Sequence, residues 1–296
     1  MAIVISFINL KGGVGKTTTT VAVAEMLAGV FHRKVLVIDL DPQTNATLML
    51  IGEERWEELN ENRHTLAQLF LDAIAPEHPT FNLHKTLQHQ VSNVKDLTSL
   101  DLLPSSLDLI NVQDRLATIP AGRFYAASPI NILRRGIRAM IEPYDYILID
   151  CPPNLGIVTL NGLRISHGYI IPTIPDILST YGIPQITKTI HEFSETIAEP
   201  IVPLGIVICK YNAGMTLHDR VIKDLRRYSK DARVFETQIP HKQQIAETVE
   251  FNHPYKFSTL RQKWGYAGQF EQYLNLAKEI RLAASHIIQN KPFHSS

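Results

Sequence analysis

Apolar positions along this chain fall into two periods. Short unbroken runs rich in Ile, Val and Phe occur at Ala2 to Asn9, Lys34 to Asp39, Tyr146 to Asp150, Tyr169 to Ile174 and Ile201 to Ile208. Runs that are apolar on both faces and bounded by polar or glycine-rich turns predict strands covered on both sides. Between most of them lie stretches of helical spacing, the first at Thr17 to Val30. The alternation predicts an α/β fold, a mostly parallel sheet with helices on both faces. From Glu53 to Ala127 the pattern loosens into an acidic stretch, a helix around Thr65 to Ala73, a strand at Leu100 to Leu103 and a helix after Pro104. No flexible linker sets this part off, so residues 53–127 are expected to elaborate one domain spanning 1–296. The stretch Gly265 to Asn290 predicts a terminal amphipathic helix with Phe270, Leu274, Ala277, Ile280, Ala284 and Ile287 on one stripe.

Composition narrows the class. With 296 residues, 45% hydrophobic and 20% charged, the chain can bury a large core without metal or disulfide support. Its two cysteines, Cys151 and Cys209, are scattered, which predicts reduced thiols in a cytoplasmic protein and argues against a thiolate zinc or iron–sulfur site. The apolar run at the start is too short to span a membrane. Lys plus Arg and Asp plus Glu both total 29, which excludes a uniformly basic chain.

The chemistry starts after the first strand, at Leu10-Lys11-Gly12-Gly13-Val14-Gly15-Lys16-Thr17-Thr18. A strand, a glycine loop and a helix in that order resemble a P-loop. There, backbone N–H groups and the helix N-terminus hold phosphate oxygens, the lysine reaches the terminal phosphates and a hydroxyl meets magnesium. The usual pattern has glycine where this chain has Leu10, and a second lysine, Lys11, opens the loop. A glycine-rich turn with Lys11 merely solvated is the bland reading, and eight matching residues in strand–loop–helix context weigh against it.

Two further strands end in carboxylates. Val35 to Asp39 runs on through Leu40 to Asp41, Pro42 and Gln43, and Ile147 to Asp150 is followed by Cys151, Pro152 and Pro153. In open parallel sheets ligands bind at this edge, and carboxylates there suit a hydrated magnesium ion. Any one of these aspartates alone would more often be a cap; their order behind the glycine loop favours function.

Together the segments resemble the ParA and MinD group of deviant Walker A ATPases, whose signature K-G-G-x-G-K-[ST] is complete here. The resemblance extends through Leu100 to Leu109, Thr159 to Leu163, Ile170 to Pro172 and Ile239-Pro240, most of the chain. It implies ATP and Mg2+ as cofactors, with Lys11, Gly12, Gly13, Val14, Gly15, Lys16, Thr17 and Thr18 around the phosphates. By resemblance Lys11 reaches the phosphates of a second subunit, so Lys11, Lys16 and Asp41 are catalytic. Asp41 positions water, Thr17, Asp41 and Asp150 serve the metal, and Asp39 supports the loop. Lys210, Tyr211 and the Thr237 to Pro240 segment, Pro240 in particular, are candidates for the adenine. No Asn-Lys-x-Asp guanine signature is present.

Charge is unevenly spread. Residues 1–209 hold 15 basic and 21 acidic side chains, whereas residues 210–263 hold 11 basic and 6 acidic. Arg220, Lys223, Arg226, Arg227 and Lys230 share a helical stretch, and Lys242, Lys256, Arg261 and Lys263 follow. Such a face would hold phosphate backbones without reading sequence, although a solvated helix balanced by Asp219, Asp224 and Asp231 is an equal reading. The family tips the expectation toward an ATP-dependent homodimer on non-specific DNA, associated with the nucleoid and stimulated by a ParB-like or other adaptor. With the phosphate loop opening at residue 11, no operator-binding helix-turn-helix is expected ahead of it. The terminal helix lacks the basic tail of membrane-binding relatives, so no membrane partner is expected. The competing expectation is an ATP-switched regulator that sequesters a protein partner.

Overall fold

The computed structural model describes residues 2–118, 128–229, 232–242, 245, 248, 251 and 256–289. Expectations for Lys230, Asn290 and residues 119–127 lie outside these. Chain order is β1 (Ile3–Phe7), α1 (Lys16–Gly29), β2 (Val35–Asp39), α2 (Asn45–Ile51), α3 (Glu53–Glu61), α4 (Leu66–Ile74), α5 (Leu83–Thr86), β3 (Leu100–Leu103), α6 (Leu109–Thr118) and α7 (Ile132–Ile137). It continues with β4 (Tyr146–Asp150), α8 (Ile157–Ile165), β5 (Gly168–Thr173), α9 (Ile177–Tyr181), α10 (Ile183–Ile197), β6 (Val202–Tyr211), α11 (Thr216–Tyr228), β7 (Val234–Pro240), α12 (Leu260–Trp264) and α13 (Gln269–Gln289).

The seven strands pair in the order β3-β2-β4-β1-β5-β6-β7, every pair parallel. Strand β1 is central. From it the chain first moves past the place of β4 to β2, and after β4 it crosses back over β1 to β5. That reversal at the carboxyl end of β1 opens the crevice where such sheets take ligands. Alternation within β1 explains the layers: Ile3, Ile5 and Phe7 face a core with α1, α2, α12 and α13, while Val4 and Ile8 face one with α4, α6, α7, α8 and α10.

Both sheet edges are covered. Beside β3, Gln88 and Leu102 exchange backbone hydrogen bonds of 2.9 and 2.8 Å. At the other edge, the N–H groups of Glu236 and Thr237 in β7 donate to the Glu279 carboxylate of α13, at 2.8 and 2.9 Å. Sequence patterning did not single out β7, because Glu236, Thr237 and Gln238 interrupt its apolar residues; the Glu279 carboxylate is what satisfies its open edge. The same contact docks the terminal helix, with Tyr273, Leu276, Ala277, Ile280 and Ala284 buried. The expected stripe holds for Ala277, Ile280 and Ala284; Phe270 and Leu274 are only partly buried, and the Ile287 side chain is outside the described set. The helix starts at Gln269 rather than Gly265, after the separate turn of α12. Among the described residues no helix is long and apolar enough to cross a membrane.

Helix α1 is buried from Thr19 to Ala28, including one charge, Glu25. An isolated buried carboxylate is costly, and here three donors meet it: Lys263 Nζ at 2.7 Å, Trp264 Nε1 at 2.7 Å and Ser92 Oγ at 2.6 Å. Lys263, expected on a DNA-binding face, is therefore corrected to a structural residue: its ammonium is fully buried and committed to Glu25. Lys263→Ala should destabilise the protein by about 3–5 kcal/mol, since it strands Glu25 without its counter-charge. Urea unfolding of the variant checks this, and a loss below about 1 kcal/mol would contradict the assignment.

Candidate functional site

The glycine loop leaves β1 at the switch point and is pinned at its entrance. Asn9 Nδ2 donates to Pro172 O of β5 at 2.8 Å, and Asn9 Oδ1 accepts from Lys11 N at 2.9 Å. At its far end Gly15 caps α1 in the left-handed region, φ 90°, a conformation that favours glycine. A side chain there would also press on Cys209, 3.3 Å from the position a Cβ would take. Gly12 and Gly13 are exposed at the mouth, Val14 is buried behind them, and Thr17 and Thr18 are half-buried in the first turn of α1. That turn carries free N–H groups and the positive end of the helix dipole, which together favour an anion.

Lys16 is buried, and its Nζ donates back to Lys11 O at 3.2 Å. Burial lowers its pKa, while the carboxylates of Asp150 and Asp41 oppose that effect. Asp39 and Asp150 are direct neighbours in the β2–β4 register, both fully buried. Burial raises the pKa of Asp39 well above the carboxylate range, and neighbouring Asp150 adds to the rise. Burial likewise pushes Asp150 up to about 7, against the pull of the Thr17 hydroxyl and the Lys16 ammonium. Asp150 Oδ1 accepts from Thr20 Oγ1 at 3.4 Å, and Oδ2 has no hydrogen-bond partner of normal geometry. A buried orphan oxygen beside Lys16 and Thr17 fits a metal-bound water. No group of three or more His, Cys, Asp or Glu among the described residues is arranged to grip a metal alone. A magnesium ion that takes most ligands from water and phosphate needs none.

Asp39 braces the segment that follows it. Its Oδ2 accepts from Thr47 N and Oγ1, at 2.9 and 2.7 Å, and its Oδ1 from Asp41 N at 3.1 Å. Ser105, after β3, closes the frame: its N–H donates to Thr47 Oγ1 at 3.0 Å and its hydroxyl to Asp41 O at 2.7 Å. Asp41 is thereby held at the edge, its Oδ1 accepting from Gln43 N at 2.9 Å; burial raises its pKa, with Gln43 and Lys16 opposing. Sequence reading gave no role to Ser105, inside the family-like stretch Leu100 to Leu109, or to Thr47, because both roles depend on strands joining distant segments.

Lys11 points along the edge. Its Nζ donates to Ser179 Oγ at 2.8 Å and lies 3.5 Å from Asp176 Oδ1, on the turn after β5. Sequence reading missed both partners, 165 and 168 positions away. Lys210, Tyr211 and Pro240 gather at the carboxyl ends of β6 and β7, where Tyr211 is in register with Pro240. Cys209 joins that corner to the loop at Gly15. The Tyr211 hydroxyl donates to Asp219 Oδ1 at 2.9 Å.

On α11, Arg220, Lys223, Arg226 and Arg227 are all exposed, opposite the buried Val221 and Ile222. Arg226 pairs with Glu236 at 2.7 Å. Lys242 and Lys256 are exposed, and Arg261 is exposed but paired with Glu271. The basic candidates thus share the surface around α11 only in part.

Residues 2–202 match the AAA domain family AAA_31. The chain is 28% identical to the sporulation initiation inhibitor protein Soj of Bacillus subtilis over 280 residues, 95% of this chain and 98% of Soj. It is 29% identical to the chromosome partitioning protein ParA of Caulobacter vibrioides over 94% of this chain and 93% of that one. Among solved structures, cobyrinic acid a,c-diamide synthase of Mycobacterium smegmatis, with bound ATP analog and magnesium, superposes with a TM-score of 0.68 at 25% identity. That match covers 94% of this chain and 93% of the synthase.

The raised carboxyls have a consequence for stability. Asp150 titrates near 3.8 unfolded and about 7 folded, so its proton stabilises the fold fully below the lower value and that stability is lost as pH rises through the upper one. Asp39 acts in the same direction. Magnesium-free protein should therefore unfold more easily in urea at about pH 8 than at about pH 5, and Asp150→Asn should flatten the slope. An equal slope in that variant would remove Asp150 as the cause.

Proposed function

Since the chain belongs to the ParA/MinD family of deviant Walker A ATPases as a ParA/Soj-type member, we propose that it is a magnesium-dependent ATP hydrolase that dimerises on ATP, binds DNA without regard to sequence and positions a cargo. The cargo class is a plasmid, a chromosome or a large cytosolic assembly. The observation that carries this reading is the convergence of Lys16, Asp41 and Asp150 on a glycine loop at the sheet's switch point.

In this reading the loop amides from Gly12 to Thr18 bind the phosphates, and Lys16 lies against the terminal ones. Lys210, Tyr211 and Pro240 bound the adenine side. Water attacks the terminal phosphorus in line as the bond to the bridging oxygen breaks, giving ADP and phosphate. Asp41 orients that water; Asp39, Thr47 and Ser105 hold its backbone in place, and Gln43 N holds its carboxylate. Magnesium, when bound, supplies charge neutralisation for the phosphate oxygens; Thr17 and Asp150 are the residues that would hold it or its water. Lys11 completes the neutralisation in the neighbouring subunit, which couples turnover to assembly. Turnover is slow until an adaptor orders this arrangement, and the exposed bases of α11 supply the DNA contact.

Two experiments test the reading. Lys16→Ala should lose ATP binding by at least about tenfold in isothermal titration, while Asp41→Ala should keep ATP and persist as a dimer in size exclusion. Rapid return of Asp41→Ala to monomer with ATP present would count against it. For DNA, alanine at Arg220, Lys223, Arg226 and Arg227 together should abolish ATP-dependent retention on random-sequence duplex at moderate salt. Retention that is unaffected, or absent already in the unaltered chain, would favour an ATP-switched module that sequesters a protein.

A further inference from the structure

Away from the nucleotide edge, a cleft of about 600 Å³ opens beside β3, walled by α3, the turn after it and the segment Leu83 to His89. Its volume is that of a small-molecule site. Nitrogen donors dominate the walls: Arg55 from α3, His64 from the turn, and His84, Lys85, Gln88 and His89 from the facing segment. One acid lines it, Glu58, and that carboxylate is already paired with Arg55. The other acids of α3, Glu53, Glu54, Glu57 and Glu61, are not among its walls.

The two sides are tied together. Arg55 Nε and Nη2 donate to Gln88 Oε1 at 3.1 and 2.8 Å, and Gln88 Nε2 donates to the carbonyls of Lys85 and Thr86, both at 3.1 Å. Gln88 is itself buried and its backbone pairs with Leu102 of β3, so the cleft is built onto the sheet edge. His89 is aimed as firmly. Its Nδ1 lies 3.0 Å from Oδ2 of Asp101, a buried carboxylate that also accepts from the Tyr144 hydroxyl at 2.7 Å and from Gln90 N at 3.0 Å. An acceptor there assigns the first proton to Nδ1, leaving Nε2 to take up a second and donate it to an anion, with Asp101 behind the ring to balance the charge. The Lys85 ammonium and the imidazoles of His64 and His84 make no hydrogen bond or ion pair among the described residues. No three of the described His, Cys, Asp or Glu side chains are arranged to hold a metal, so the three imidazoles are donors here rather than ligands.

We propose that this cleft binds a small, multiply charged oxyanion, a phosphate ester or a polycarboxylate. Lys85 is its permanent cation, and His64, His84 and His89 are donors that gain protons as the anion enters, because a nearby negative charge favours the imidazolium. Leu59 and Leu87, also in the walls, suit a short carbon skeleton. The cleft shares no residue with the phosphate loop, and it stands whether or not the function proposed above holds.

The test is a titration of histidine-labelled protein followed by imidazole NMR, with ADP in excess to occupy the phosphate loop and inorganic pyrophosphate or citrate as the probe in separate arms. His64→Gln, His84→Gln and His89→Gln assign the three signals. At least one probe should shift all three toward the protonated form, saturably, with a Kd of about 1 mM or tighter. Lys85→Glu should weaken that binding by about tenfold or more, and Lys85→Gln by less in the same direction. Lys95→Glu, at an exposed lysine off the cleft, should leave it within about twofold. Unchanged signals from the other histidines show that each variant keeps its fold. Binding of pyrophosphate alone identifies a phosphate ester, and binding of citrate alone a polycarboxylate. No saturable shift with either probe, or equal weakening by Lys85→Glu and Lys95→Glu, overturns the inference.

Discussion

One charge balance organises the carboxyl edge of the sheet: a single buried ammonium, Lys16, among the buried carboxyls of Asp39, Asp41 and Asp150. Burial raises the proton affinity of all three, and neighbouring carboxylates add to the rise at Asp39 and Asp150, while one cation, Lys16, opposes it at Asp41 and Asp150. The site is therefore short of positive charge before a nucleotide arrives, and a triphosphate deepens the deficit. A magnesium ion and the second lysine, Lys11, are the two cations that make up the difference in the proposed cycle. Tying hydrolysis to assembly follows from drawing one of them from another subunit.

The rest of the fold keeps that balance in place. Parallel pairing sets Asp39 beside Asp150, and the return of the chain from β4 over β1 to β5 puts Asn9 and Pro172 in contact at the loop's entrance. Ser105 and Thr47 lock the Asp41 segment to the β3 side. At the far end of α1, Glu25 is gripped by Lys263, Trp264 and Ser92, so the helix that presents Lys16 and Thr17 is anchored to the chain's last elements. The Glu279 carboxylate does comparable work at the β7 edge.

The glycine loop and the strands bearing Asp39 and Asp150 were legible because their signals are local: an apolar run, a stop and a charged residue at fixed spacing. The α/β architecture followed from the same runs. Strand β7 was not legible, since its outward polar residues look like a loop until α13 covers them. Lys263 read as one more base in a basic segment; only burial against a glutamate 238 positions away makes it structural. Asp176 and Ser179 are ordinary turn residues by composition, and their role arises where β5 ends beside the loop. What sequence missed are pairings between strangers in the chain, which no periodicity encodes.

The central claim is that Lys11 completes the neighbouring subunit's site. Mixing two inactive variants tests it most directly. Lys11→Ala lacks the reaching lysine but keeps Asp41; Asp41→Ala lacks the water-orienting carboxylate but keeps Lys11. Only a mixed dimer contains one site with both groups, so steady-state ATP hydrolysis should rise on mixing to a substantial fraction of the unaltered rate, greatest near equal proportions. Hydrolysis that stays at the sum of the two separate variants, although mixed dimers form, would contradict the account.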